Sequence, residues 1–118
     1  MNSKQYMQME TLVEKQYRFT LAVADLINFC HEREYTITFG DAYRDPRLHG
    51  ALGEKKGYGH RDSCHKLRLA VDFNLIIDGK LARPDQYGPL HDFWDLLGGA
   101  KRIEHDMNHF SFEHDGYR

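Results

Sequence analysis

From Gln8 to Glu34 no Gly or Pro interrupts the chain, and Leu12, Tyr17, Leu21, Ala24, Leu26, Ile27 and Phe29 fall near helical spacing. The pattern predicts one long amphipathic helix covering a sheet. Tyr35 to Phe39 is rich in strand formers and ends at Gly40, which predicts a short strand. Asp45-Pro46 then opens a loop that runs through Gly50, Gly53, Gly57 and Gly59. So long a glycine-studded loop in a small domain is expected to be mobile or functional.

Leu69 to Ile77 is the strongest strand candidate, with Asp78-Gly79 as a hairpin turn and Lys80-Leu81 beginning the return. Pro89 to Leu97 reads as a short helix closed by Gly98-Gly99. His109 to Phe112 alternates polar and aromatic residues and predicts a last strand. Together these elements predict an α+β fold, a long N-terminal helix on a small antiparallel sheet.

The chain has 118 residues, enough for a single domain, 1–118, with a modest core. Seven Phe, seven Tyr and one Trp argue against disorder. A formal net charge of -2 with interspersed signs leaves no basic footprint for nucleic acid, and pairs such as Lys55-Lys56 read as solvated surface. No stretch is apolar enough for a membrane span. Met1 to Glu10 is polar and lacks a secretory core, so the expected place of synthesis is the cytosol. Cys30 and Cys64 form no disulfide framework; Cys30 falls in the helical pattern and reads as packing.

Eight histidines, clustered after residue 48, are the first sign of chemistry. One cluster spans Ser63 to Asp72, where His65 and Asp72 bracket an apolar stretch. A carboxylate inside such a strand is costly without a partner. That partner is a metal ion, an Arg or a turn amide. A second cluster, Glu104 to Phe112, holds Asp106 and His109. In a strand, His109 and Ser111 share one face while Phe110 and Phe112 anchor the other. A rival reading takes His105, Asp106 and His109 as H-D-x-x-H on a helix, a mimic of H-E-x-x-H. The flanking Gly98-Gly99 and F-S-F disfavour that helix.

These residues carry a family resemblance. S-x-H-x-x-x-x-A-x-D at Ser63 to Asp72, followed by D-x-x-H-F at Asp106 to Phe110, resembles the zinc peptidases that include D-Ala-D-Ala carboxypeptidases, related dipeptidases and phage L-alanyl-D-glutamate endolysins. The likeness runs from about Thr38 to Phe112 and is helped by Trp94 and Gly98-Gly99 upstream of the second motif. It implies His65, Asp72 and His109 as ligands of Zn2+, Asp106 as general base, Arg44 as oxyanion stabiliser and Ser63 as support for the site. Arg68 stands where the family has Gly, and it is expected either to fit an ordinary backbone conformation or to point outward. For Arg44 an ion pair with Asp41 or Asp45 stays open as an alternative. Cys64, next to His65 on a segment read as extended, is expected to point away from the metal.

The resemblance therefore implies a peptidoglycan peptide hydrolase, phage-encoded, acting on stem peptides of the cell wall and either held in the cytosol until release or carried on the virion; a monomer is expected. Two rivals remain: a zinc-stabilised binding module of the same fold without catalysis, and a hydrolase of free dipeptides. Asp106 favours an enzyme, since a binding module needs ligands but no base.

Overall fold

The computed structural model describes residues 10–55 and 63–118; Gln8, Gly57, Gly59 and Asp62 lie outside the described residues. Helix α1 spans Leu12–Glu32. It begins there because Thr11 caps it: the Thr11 hydroxyl accepts the Glu14 amide hydrogen at 3.2 Å, and Glu14 reaches back to Thr11. The order continues with β1 (Thr36–Phe39), α2 (one turn, Pro46–His49), a 3-10 turn (Cys64–Leu67), β2 (Ala70–Ile77), β3 (Lys80–Leu81), a second 3-10 turn (Pro84–Tyr87), α3 (Gly88–Leu96) and β4 (His109–Ser111). The loop expected after Asp45-Pro46 thus contains a helical turn, with Asp45 as its N-cap and Pro46 in its first turn.

The sheet is antiparallel and organised around β2. β1 pairs along one side, with Thr36 opposite Ile76 and Phe39 opposite Phe73. Ala70, Val71 and Asp72 pair on the other side with Ser111, Phe110 and His109 of β4. β3 meets the far end of β2 through a two-residue turn in which Asp78 and Gly79 both have positive φ, 52° and 75°.

Strand pleating divides the residues between two faces. Phe73 and Phe110 meet on the helix side, with Trp94 of α3 5.8 Å from Phe110 and Phe19 of α1 5.4 Å from Phe112. Asp72 and His109, one residue out of phase, face the opposite way. Gly98-Gly99 closes α3 tightly on this core: a Cβ at Gly99 would lie 2.1 Å from the Trp94 indole, so only glycine fits.

The buried stripe of α1 keeps only part of the expected one: Leu26 is buried and Leu12 and Phe29 pack against the core. Phe19, Ala22, Leu26 and Cys30 are buried, whereas Tyr17 and Leu21 are each 68% exposed. Tyr17, Leu21 and Ala24 sit about 140–200° around the helix from Phe19, at 100° per residue. The apolar residues of α1 therefore form two stripes, and aromatic packing against Trp94 and Phe112 selects the one containing Phe19. Among the described residues no helix is long and apolar enough to cross a membrane.

Leu26→Ala is expected to cost about 2–5 kcal/mol of unfolding free energy. Leu21→Ala is expected to stay within about 0.5 kcal/mol of wild type. Urea denaturation of both variants checks the stripe, and equal losses would refute it.

Candidate metal centre

Three separate pieces of backbone bring His65, Asp72 and His109 together. His65 lies on the 3-10 turn Cys64–Leu67, which Ser63 starts by accepting the His65 amide hydrogen at 3.2 Å. Arg68 ends the turn in the left-handed conformation, φ 56° and ψ 35°. Of the two alternatives expected there, the ordinary backbone is not taken and the exposed, outward side chain is: the chain keeps the conformation that glycine favours and tolerates its cost, about 1–2 kcal/mol for a residue with a side chain. The Arg68 guanidinium lies over the Tyr43 ring, 4.1 Å from its centroid, a contact that offsets part of the cost.

Asp72 is placed by β2. Both of its backbone groups bond toward the β1 side, its N–H to Asp41 O at 2.7 Å and its C=O from Gly40 N–H at 2.8 Å. The pair with His109 is therefore a non-hydrogen-bonded one, the register in which facing side chains come closest. Gly40 is a close approach, since a Cβ there would lie 2.9 Å from the Asp72 Cβ.

The three side chains converge atom to atom. His65 Nε2 is 3.0 Å from Asp72 Oδ1, His109 Nδ1 is 3.3 Å from His65 Nε2, and His109 Nδ1 is 3.5 Å from Asp72 Oδ1. All three residues are buried. His65 Nδ1 is 2.8 Å from the Ala42 carbonyl, which only accepts, so Nδ1 carries the proton. A neutral His65 then presents a bare Nε2 toward a carboxylate oxygen and a second imidazole nitrogen. A cluster of acceptors this close requires a cation among them, either a proton or a metal ion. The group can hold a metal ion.

Burial disfavours the Asp72 charge, yet in the metal-free site the hydrogen bonds and positive charge that a proton gives the His109 and His65 imidazoles outweigh burial and hold its carboxyl well below the usual carboxylate range. Cys64 stays outside the group. It is wholly buried, which pushes its thiol up to about 12 and keeps it protonated. The segment around it is a 3-10 turn rather than extended, and about 120° between successive side chains separates Cys64 from His65.

Asp106 stands at the mouth of the group, with its side chain half exposed and Oδ2 3.8 Å from His109 Nδ1. Arg44 is mostly covered and donates from Nη1 to Ser63 Oγ at 3.2 Å, while its Nε meets Asp41 at 3.4 Å. The Asp41 ion pair foreseen as an alternative is therefore formed, whereas Asp45 pairs with Arg47. Through Ser63, and through its own amide bonded to His65 O at 3.2 Å, Arg44 is tied to the turn that carries His65. His105 is exposed and the backbone between Lys101 and Asn108 is non-helical, so the H-D-x-x-H reading fails.

Two participants escaped the sequence reading. The Ala42 carbonyl orients His65, a backbone role that no residue type announces. His91 of α3 is fully buried, and its Nε2 lies 2.6 Å from Met107 O within the turn joining Asp106 to His109. Burial holds the His91 imidazole below its ordinary value and keeps it neutral. A single His in a helical pattern carries no signal that it reaches a distant loop.

Compared with known proteins, the chain matches no family model, no curated protein and no solved structure.

Because the folded Asp72 carboxyl titrates below its ordinary value of 3.8, the stability it contributes is complete above that pH and is lost as pH falls through the folded value. Metal-free wild type is therefore expected to lose up to about 1.4 kcal/mol per pH unit through this one proton below roughly pH 4. Asp72→Asn should show a flatter acid limb in denaturant titrations, and identical limbs would contradict the assignment.

Proposed function

We propose that this protein is a zinc metallopeptidase of the peptidoglycan-hydrolase type, cutting stem-peptide bonds as an endolysin-like endopeptidase or a D,D-carboxypeptidase. The observation that carries the proposal is the convergence of two imidazole nitrogens and one carboxylate oxygen with an acid beside them. A tetrahedral ion with bonds of about 2.0–2.1 Å has ligand-to-ligand edges of about 3.3–3.4 Å. The observed separations of 3.0, 3.3 and 3.5 Å suit such an ion. Two nitrogens and a single oxygen suit zinc better than calcium or magnesium, which prefer oxygen donors.

His65, Asp72 and His109 would hold the ion and leave a position open for chemistry. Bound Zn2+ supplies Lewis acidity, lowering the pKa of water to about 7 and polarising a carbonyl. Asp106, near the ligands yet accessible to solvent, accepts the proton of the attacking water and passes it to the amine that leaves when the C–N bond breaks. Arg44 stabilises the charge gathering on the carbonyl oxygen, with Ser63 and Asp41 holding its guanidinium. The motif pair at Ser63–Asp72 and Asp106–Phe110 supports a peptidoglycan substrate. The same reading takes the protein as a monomer made in the cytosol and acting on the wall after release. The position of Asp106 favours the enzyme over a zinc-stabilised binding module.

Elemental analysis of purified protein is expected to find about one zinc per chain, lost in His65→Ala, Asp72→Ala and His109→Ala. Stoichiometric zinc in any of the three variants would remove that residue as a ligand. Asp106→Ala is expected to keep the fold and the zinc while losing about 100-fold or more in hydrolysis of peptidoglycan stem peptides. Near-normal turnover would sink its role as base, and an inactive wild type with bound zinc would favour the binding module.

A further inference from the structure

The turn Asp106–His109 carries both the proposed base and one proposed ligand, and it is held in four places. The Asp106 carbonyl accepts the His109 amide hydrogen at 3.0 Å, and the Asn108 carbonyl accepts from Phe73 N–H at 2.9 Å. Asn108 Nδ2 donates to Asn74 Oδ1 at 3.2 Å. The Met107 carbonyl is held instead by a side chain from another element, His91 of α3, at 2.6 Å. His91 is fixed in turn by stacking on Phe110, the residue after His109, with ring centroids 4.3 Å apart and planes 13° from parallel.

Counting protons adds a second, independent observation. A carbonyl only accepts, so His91 must carry its proton on Nε2, leaving Nδ1 a bare acceptor. His91 Nδ1 is buried and has no hydrogen-bond partner. His109 Nε2 is also buried without a partner. If His109 gives its Nδ1 lone pair to a metal, its Nε2 carries the proton and is a donor.

We infer that His91 is a positioning residue of the metal centre, locking the Asp106–His109 turn through Met107 O. The inference rests on the metal reading above. Groups that orient a metal ligand from outside its coordination sphere matter to binding, and loss of such support costs about 10- to 100-fold in metal affinity. His91 also fills core volume, so the test must separate packing from positioning.

His91→Phe keeps the ring and its stack on Phe110 but removes the N–H, whereas His91→Gln restores a donor near the Nε2 position. Zn2+ affinity is measured by competition with a chromophoric chelator, and the visible spectrum of the Co2+-loaded protein reports ligand geometry. His91→Phe is expected to bind Zn2+ about tenfold or more weakly and to shift the Co2+ bands, with metal-free stability close to wild type. His91→Gln is expected to recover most of the affinity. Wild-type affinity and an unchanged Co2+ spectrum in folded His91→Phe would overturn the inference and leave His91 a packing residue. If neither variant folds, imidazole nitrogen NMR of wild type decides. Nε2 protonation with His91 signals that move on Zn2+ addition supports positioning, and signals indifferent to Zn2+ overturn it. A wild type that binds no Zn2+ overturns the metal centre itself, and this inference with it.

Discussion

The facing pair of Asp72 and His109 is the contact on which the candidate site depends. In an antiparallel ladder the non-hydrogen-bonded pair brings side chains nearest, and here it puts a carboxylate and an imidazole together on the face of the sheet opposite the aromatic core. With His65 swung in from the preceding turn, three acceptor atoms lie within 3.5 Å of one another. Such a cluster is stable only when a cation lies among its members. The rest of the local structure arranges this: Gly40 is bare so that Asp72 can sit close, Ala42 fixes the proton on the far nitrogen of His65, and Arg68 takes a strained conformation so that the turn can end.

The opposite face of the sheet shows how little of the chain is needed for that arrangement. Phe110 and Phe112 alternate with His109 and Ser111, so the strand that presents a candidate ligand also anchors itself among Trp94, Phe73 and Phe19. A one-residue slip in β4 would exchange ligand and anchor. Such a slip would bury an unpaired His109 among aromatics while exposing two Phe rings, so the hydrophobic pattern itself enforces the register of the site. Gly99 serves the same end by letting the chain pass directly over the Trp94 indole.

The position of Asp106 gives the site its chemical direction. It lies three residues before His109 in a turn, close to the ligand atom yet half exposed, which suits a group that must exchange protons with substrate. On the proposed reading, the buried His65, Asp72 and His109 would hold the ion and the accessible Asp106 would exchange the proton. Arg44 belongs to the same local assembly through Ser63, Asp41 and the backbone of His65.

Periodicity and punctuation by themselves determined the elements: the long helix, the strand at Ala70–Ile77, the Asp78-Gly79 turn and the last strand follow from local rules of spacing and backbone freedom. The two motifs pointed to His65, Asp72, Asp106 and His109 through their family resemblance, whereas the local pattern alone left Asp72 open to a metal ion, an Arg or a turn amide. The tertiary structure decided what local rules leave degenerate. The apolar residues of α1 form two stripes, and only packing against Trp94 and Phe112 selects the one holding Phe19 over the one holding Leu21. Whether Arg68 could replace a glycine depended on a left-handed backbone that residue identity does not reveal. The supports at Ala42 and His91 join segments 23 and 16 residues apart, and contacts of that kind exist only once the chain has closed on itself.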